Sequence, residues 1–193
     1  MKVVILKYNA GNVRSVAIAL NRLGVEPVVS DDRETLLSAD KVIFPGVGEA
    51  STALKYLKEK KLDQLIPELK NPFLGICLGL QLMCRHTEEN DTSCLDIFPL
   101  EVKKFPPGEK VPHMGWNTIN QLSGPLMKGI DEESFLYFVH SYYAEISADC
   151  IASSHYGVPF CAAIQKNNFF AVQAHPEKSS DTGSMIIKNF LNL

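Results

Sequence analysis

The chain has 193 residues, 46% of them apolar and 21% charged, with 19 lysines and arginines against 22 acidic residues. That balance fits a globular protein able to bury about 70% of its unfolded surface, and it excludes collagen-like, disordered and coiled-coil chains. A net charge of −3 is not the footprint of a nucleic-acid binder. No apolar run reaches the ~18 residues of a membrane span, so neither nucleic acid nor membrane is an expected partner.

Residues 3–6 are a continuous apolar run, the pattern of a strand covered on both faces. Beyond a loop over 7–12, Val13, Val16, Ala17, Leu20 and Leu23 fall at helical spacing, and Gly24 stands where the helix would stop. Residues 25–29 predict a second strand, Asp31-Asp32 a turn, and residues 42–44 a third strand ending in Pro45-Gly46-Val47-Gly48. Ser51 is placed to cap a helix through Leu54 and Leu57 toward Lys60. Residues 73–76 form another buried run, followed by Cys77 and a helix over 78–85. This alternation predicts a largely parallel, doubly wound α/β sheet. The second half changes character, with strands expected over 101–105, 116–119, 136–139, 144–146, 159–164 and 170–173. A last helix over 181–191 should pack back on the sheet. With no linker and no internal repeat, one domain over 1–193 is expected. The start, residues 1–6, is too short an apolar run for a signal-peptide core. Five cysteines without a CxxC pair are those of reduced, cytoplasmic thiols.

The chemistry concentrates in two places. Gly75-Ile76-Cys77-Leu78-Gly79 has the form of a nucleophile elbow with cysteine in the serine position, between a strand and a helix as that motif requires. The turn lifts the thiol out at the strand's carboxyl end, where doubly wound sheets bind ligands. It also sets the sulfur at a helix N-terminus, which favours thiolate, and aims the Leu78 N–H at the same space as an oxyanion donor. The second place is His175-Pro176-Glu177. Proline restricts the preceding residue to extended backbone, and in extended chain residues i and i+2 share a side. Glu177 is thus expected to bond one imidazole nitrogen of His175 and leave the other for a thiol, the logic of a nucleophile–base–carboxylate triad. The Pro45-Gly46-Val47-Gly48 loop, at another strand end, suits a second oxyanion donor.

Gly75-Ile76-Cys77-Leu78-Gly79-Leu80-Gln81, the His175-Pro176-Glu177-Lys178-Ser179 segment and the Pro45–Gly48 loop resemble the class I, triad-type glutamine amidotransferases. Gly11-Asn12-Val13-Arg14-Ser15, the segment 111–117 (VPHMGWN) and the segment 137–143 (YFVHSYY) narrow the likeness. They look like the branch of glutaminase subunits that serves histidine biosynthesis. The resemblance implies a flavodoxin-like sheet with an added mixed-strand portion in the second half. It implies Cys77 as nucleophile, His175 as base and Glu177 as orienting carboxylate. Gly46, Val47, Gly48, Leu78, Gln81, His140, Ser141 and Tyr142 are then the oxyanion and glutamine-binding residues. The implied reaction is hydrolysis of L-glutamine to glutamate and ammonia, with no cofactor and no metal. The implied partner is a (βα)8-barrel cyclase that uses the ammonia to make imidazole glycerol phosphate and an aminoimidazole ribotide. Asn12, Arg14, Met114, Trp116, Tyr137 and Lys178 are the residues expected to face it.

Three residues depart from the family pattern: Ala174 replaces the usual Phe before the triad histidine, Glu49 a small residue, and Lys7 a common Asp. A glutaminase serving anthranilate, aminodeoxychorismate or pyridoxal phosphate synthesis would keep the triad but not VPHMGWN and YFVHSYY. A non-catalytic binding subunit would lack a triad residue, and a cysteine peptidase would not need the Gly-Leu-Gln extension of the elbow. His86, His113 and His155 have no partners at metal spacing and are expected to be surface or core histidines. The run Glu88-Glu89-Asp91 is expected to be a solvated loop.

Overall fold

The computed structural model describes residues 1–9 and 12–193, so Gly11 of the first motif lies outside the described residues. The first half runs β1 (Val3–Leu6), α1 (Val13–Arg22), β2 (Val28–Ser30), α2 (Arg33–Leu37), β3 (Lys41–Phe44), α3 (Ala50–Glu59), α4 (Leu62–Leu65), β4 (Phe73–Ile76) and α5 (Leu78–Met83). The second half runs β5 (Cys84–Thr87), β6 (Thr92–Ser93), β7 (Phe98–Lys104), β8 (His113–Thr118), β9 (Phe135–His140), β10 (Tyr142–Ala144), β11 (Cys150–Tyr156), β12 (Val158–Lys166), β13 (Phe169–Val172) and α6 (Ser180–Leu191).

The main sheet has the order β11-β12-β13-β4-β3-β1-β2. Strands β2, β1, β3, β4 and β13 are parallel, and β12 and β11 extend the sheet antiparallel beyond β13. The parallel part has the flavodoxin-like 2-1-3-4-5 arrangement. Side chains of a strand alternate between the two faces of a sheet. Accordingly Val4, Leu6, Val42 and Phe44 enter one core with α3 and α5, while Val3, Ile5 and Ile43 enter the other with α1 and α6. Beside this sheet lie a four-stranded sheet, β10-β7-β5-β6, and a two-stranded ribbon, β8-β9. These are the mixed-strand portion expected of the second half.

Local differences from the sequence-based expectation have physical causes. Pro27 precedes a second strand that is only three residues long and sits at the sheet edge, where Val28 and Val29 remain exposed. Asp32 does more than turn the chain: its carboxylate accepts from the Thr35 N–H at 2.8 Å and caps α2. Helix α3 begins at Ala50, with Glu49 rather than Ser51 as its cap residue. The Ser51 and Thr52 hydroxyls donate instead to the Glu49 carboxylate. The elbow helix ends at Met83, because Cys84 to Thr87 pair with β7. Strand β11 carries no clear apolar alternation, and no pattern in the chain predicts it. Among the described residues, no helix is long and apolar enough to cross a membrane.

Candidate active site

The carboxyl ends of the neighbouring central strands β3, β4 and β13 lie side by side at one end of the sheet, and the candidate site residues follow them directly. Cys77 directly follows β4 with φ 52° and ψ −105°, a conformation that costs a non-glycine residue about 1–3 kcal/mol. The elbow is held by close packing of the α5 backbone onto β3 and β4. A Cβ on Gly79 would strike the Phe44 carbonyl, and one on Gly75 would meet Met83 Sδ at 2.6 Å. Gly79→Ala should therefore lower stability by about 3 kcal/mol, at the upper end of overpacking costs, read as a shift of the denaturant midpoint. A midpoint unchanged from the parent would show that the elbow yields.

His175 and Glu177 meet by a different route from the one expected. His175 has φ −102° and ψ 87° and opens a short 3-10 turn over Pro176–Lys178, so that turn, not extended chain, brings Glu177 back. His175 Nδ1 lies 2.9 Å from Glu177 Oε1, and the two side chains are 3% and 1% exposed. Glu177 Oε2 is buried without a hydrogen-bond partner. The turn is braced by Ser179, whose hydroxyl donates to the His175 carbonyl at 2.7 Å and accepts the Tyr137 N–H at 2.9 Å. Burial alone would lower the His175 ring; the neighbouring Cys77 and the hydrogen-bonded Glu177 outweigh it and lift the ring to about 10. The imidazole is thereby held as a cation at neutral pH.

A cleft of about 260 Å³ opens in front of Cys77. Of the residues expected to bind substrate, Val47, Gly48, Leu78, Gln81, His140, Ser141 and Tyr142 line it. Gly46 does not: it packs under the loop, where a Cβ would meet Leu78 Cβ at 2.6 Å, and serves as a spacer for the elbow. Gln81 lines the cleft, but its amide donates to the Tyr142 carbonyl at 3.0 Å and to Gln173 Oε1 at 3.3 Å. Lys178 stands at the cleft wall.

Glu89, grouped by sequence with a solvated loop, also lines the cleft. Its Oε2 accepts the Ala50 N–H at 2.7 Å, and burial raises its carboxyl above the usual range, with Glu49 adding to that and the Ala50 N–H opposing it. An acidic run gives no periodic signal that one member turns inward. Asp91 and Glu101 bond the two nitrogens of His86. Gln173 is a further site residue that sequence reasoning does not find; it is fully buried, with its amide 3.7 Å from the Cys77 sulfur. Ala174 is fully buried in the core that holds Phe138, Phe160 and Ile186.

The β8-β9 ribbon presents Met114, Trp116 and Phe135 outward, at 62%, 53% and 55% exposure. Trp116 pairs with Tyr137 across the ribbon, their ring centroids 5.9 Å apart. Trp116 is therefore not a core residue. Arg14 and Lys178 are exposed, and Asn12 caps α1 by accepting the Ser15 N–H. Among the described residues, no cluster of three His, Cys, Asp or Glu side chains is arranged for a metal ion.

The glutamine amidotransferase class-I family model matches residues 4–193. Over 196 residues, and the full length of both chains, the protein is 58% identical to imidazole glycerol phosphate synthase subunit HisH of Bacteroides fragilis. Likewise end to end, it is 56% identical to that subunit of Bacteroides thetaiotaomicron and 45% to that of Blochmanniella floridana. Among solved structures, a putative GMP synthase protein from Thermoplasma acidophilum shares the fold with a TM-score of 0.75 at 21% identity, over 100% of this chain and 93% of the other. PurLQS from Thermotoga maritima shares it with a TM-score of 0.76 at 17% identity, over 99% and 97%. A strained cysteine elbow facing a His–Glu pair, in a chain that matches these relatives from end to end, thus belongs to the class-I glutamine amidotransferases, in their HisH branch.

Proposed function

We infer that this chain hydrolyses L-glutamine to L-glutamate and ammonia and passes the ammonia to a separate cyclase subunit in histidine biosynthesis. The observation that carries this reading is Cys77 on its elbow beside the buried His175–Glu177 pair, in a chain 58% identical over its whole length to a HisH subunit. In the proposed reaction the Cys77 sulfur attacks the side-chain amide carbon of glutamine. The oxyanion is held by the Leu78 N–H and by the backbone at Gly48. The His175 imidazolium gives its proton to the departing ammonia, leaving a thioester. The now neutral ring takes a proton from water, the hydroxide attacks the thioester carbon, and the carbon–sulfur bond breaks to release glutamate and restore the Cys77 sulfur beside the imidazolium. Glu89 and Lys178, of opposite charge on the cleft walls, suit the α-ammonium and α-carboxylate of the substrate. Five unpaired thiols suit a reducing, cytoplasmic setting.

The partner we propose is a (βα)8-barrel cyclase, docked on the outer face of the β8-β9 ribbon. Ammonia protonates readily in water at neutral pH, so a docked partner must cover the cleft mouth and lead the neutral molecule away. Met114, Trp116 and Tyr137, with Asn12, Arg14 and Lys178 around them, are the residues assigned to that contact. Phe135 extends the same apolar face. Trp116→Ala should leave the isolated chain folded and weaken association by about 2 kcal/mol or more, the scale of an interface hot spot. A titration with unchanged affinity would remove Trp116 from the contact. The reading as a whole is tested by a glutaminase assay with and without the cyclase and its nucleotide ligand. Glutamate should form and rise with the partner present; none in either condition would overturn it.

A further inference from the structure

Two motifs singled out by sequence contain polar groups that the proposed reaction leaves unused, His113 in VPHMGWN and His140 in YFVHSYY, and a third such group, Gln173, lies two residues before His175. They are joined by one continuous line of hydrogen bonds. On β8, Asn117 Nδ2 donates to the His155 carbonyl at 2.9 Å and lies 3.3 Å from His113 Nε2. An amide nitrogen only donates, so His113 Nε2 accepts and its proton sits on Nδ1. That Nδ1–H is 3.0 Å from His140 Nε2, which therefore accepts, and His140 Nδ1–H donates to the Tyr142 carbonyl at 2.7 Å. The same carbonyl accepts Gln81 Nε2, which also donates to Gln173 Oε1 at 3.3 Å. Gln173 Nε2 then points at the Cys77 sulfur, 3.7 Å away.

The partners leave each imidazole only one tautomer, so the donors run one way from Asn117 through both rings to the Tyr142 carbonyl, which Gln81 meets from the other side. Burial keeps both rings neutral, with His113 lowered to about 4 and His140 to about 3. The rings are also immobilised by packing. His113 is stacked between Phe138 and Tyr156, with centroids at 5.2 and 4.2 Å, and Phe105 and Phe160 lie 5.2 Å from His140. Residues alternate on β8, so Met114 and Trp116 face outward while His113 and Asn117 face inward from the same ribbon.

We propose that His113 is a positioning residue for glutamine hydrolysis, holding through His140, Tyr142, Gln81 and Gln173 the amide donor aimed at the Cys77 sulfur. Without its donor, His140 Nε2 is left buried and unpaired, and the ring has reason to turn or change tautomer. The Tyr142 carbonyl then loses its short bond, Gln81 and Gln173 lose their shared orientation, and the sulfur loses a fixed neighbour. The proposal rests on the glutaminase reading for its effect on turnover, but the geometry at the sulfur can be probed without glutamine.

The test compares His113→Phe, which keeps a stacked ring but has no donor, with His113→Asn, whose amide nitrogen lies near the position of Nδ1. Each variant is assembled with the cyclase and assayed for glutamine kcat and KM. Alkylation of Cys77 by iodoacetamide is followed separately, by mass spectrometry of the Cys77 peptide. His113→Phe should lower kcat and the alkylation rate on the order of tenfold, the scale of one buried hydrogen bond, while ammonia-dependent synthesis stays near the parent and the melting temperature falls by only about 2–6 °C, the cost of one buried unpaired acceptor. His113→Asn should recover most of both losses. Gln173→Met should show the same two losses, and the double variant His113→Phe/Gln173→Met should be no worse than Gln173→Met alone, because both break one line. Parent values in His113→Phe, or additive losses in the double variant, would overturn the proposal. So would a His113→Asn variant no better than His113→Phe, which would mark packing as the only role. If His113→Phe fails to fold, His113→Leu, which also lacks the donor, takes its place in the same comparison with Gln173→Met and the double variant. Failure of the glutaminase reading itself would appear separately, as a parent complex that alkylates at Cys77 yet releases no glutamate.

Discussion

Cys77→Ala should abolish glutamine-dependent synthesis by the assembled pair, by on the order of 10⁴-fold or more, while synthesis from added ammonia continues. Only glutamine hydrolysis needs the sulfur: ammonia supplied in solution bypasses the thioester and should enter the cyclase directly. Alanine also removes the side chain without disturbing the elbow backbone, so docking should survive. The companion experiment uses a glutamine analogue carrying an electrophile. It should label Cys77 alone, because the cleft proposed to hold glutamine opens on that sulfur. The other thiols differ in ways that make the comparison informative. Burial pushes Cys84 well up and Cys94 up to about 12, whereas the neighbouring Cys161 thiol draws Cys150 down. Cys150 is thus the thiol to watch for competing modification. Glutamine turnover by Cys77→Ala above a trace, or label spread evenly over the five cysteines, would refute Cys77 as the nucleophile.

What can be read from the chain follows from which signals are local. The inner parallel strands β1, β3 and β4 are four-residue, largely apolar runs buried on both faces, and the elbow glycines are required by backbone contacts at a fixed offset from the nucleophile. Both features are visible in a short window. The His–Glu pairing follows from sequence for the wrong local reason: the expectation rests on extended chain, and the 3-10 turn after His175 achieves the same meeting. Glu89, Gln173 and the His113–His140 bond lie beyond sequence reasoning because each depends on a contact between distant segments. Glu89 turns inward only because Ala50 at the start of α3 offers its N–H. His113 lies 27 residues from the ring it bonds and meets it through the antiparallel register of β8 and β9. Gly46 reads as a substrate residue because its motif neighbours line the cleft, yet its own role is to let the elbow approach.

The largest effects after the nucleophile should come from the two triad side chains, and they should differ. His175→Ala removes the group that carries the proton in both half-reactions, a loss of roughly 10⁴-fold. Glu177→Gln leaves an oxygen that can still accept from Nδ1–H, so the ring keeps a partner, and the expected loss is smaller than that of His175→Ala. Its distinctive consequence is in pH dependence. Burial pulls the ring down, and the neighbouring Cys77 and the hydrogen-bonded Glu177 raise it to about 10. Removing the Glu177 charge removes part of what opposes burial, so the ring should lose its proton at lower pH. The alkaline limb of the rate profile, which depends on imidazolium to protonate the departing ammonia, should therefore move to lower pH in Glu177→Gln. Stability follows the same sign. A folded-state pKa raised from 6.5 to about 10 contributes stability that is fully present below pH 6.5 and is lost as pH rises toward 10. Melting temperatures of the parent should thus fall across that window, and those of Glu177→Gln should fall less. The two measurements are a rate profile from pH 6 to 10 and melts at the same pH values. Coincident alkaline limbs with parallel melting curves would mean that Glu177 does not set the charge of His175, and equal losses in the two variants would mean that the pair acts only as a unit.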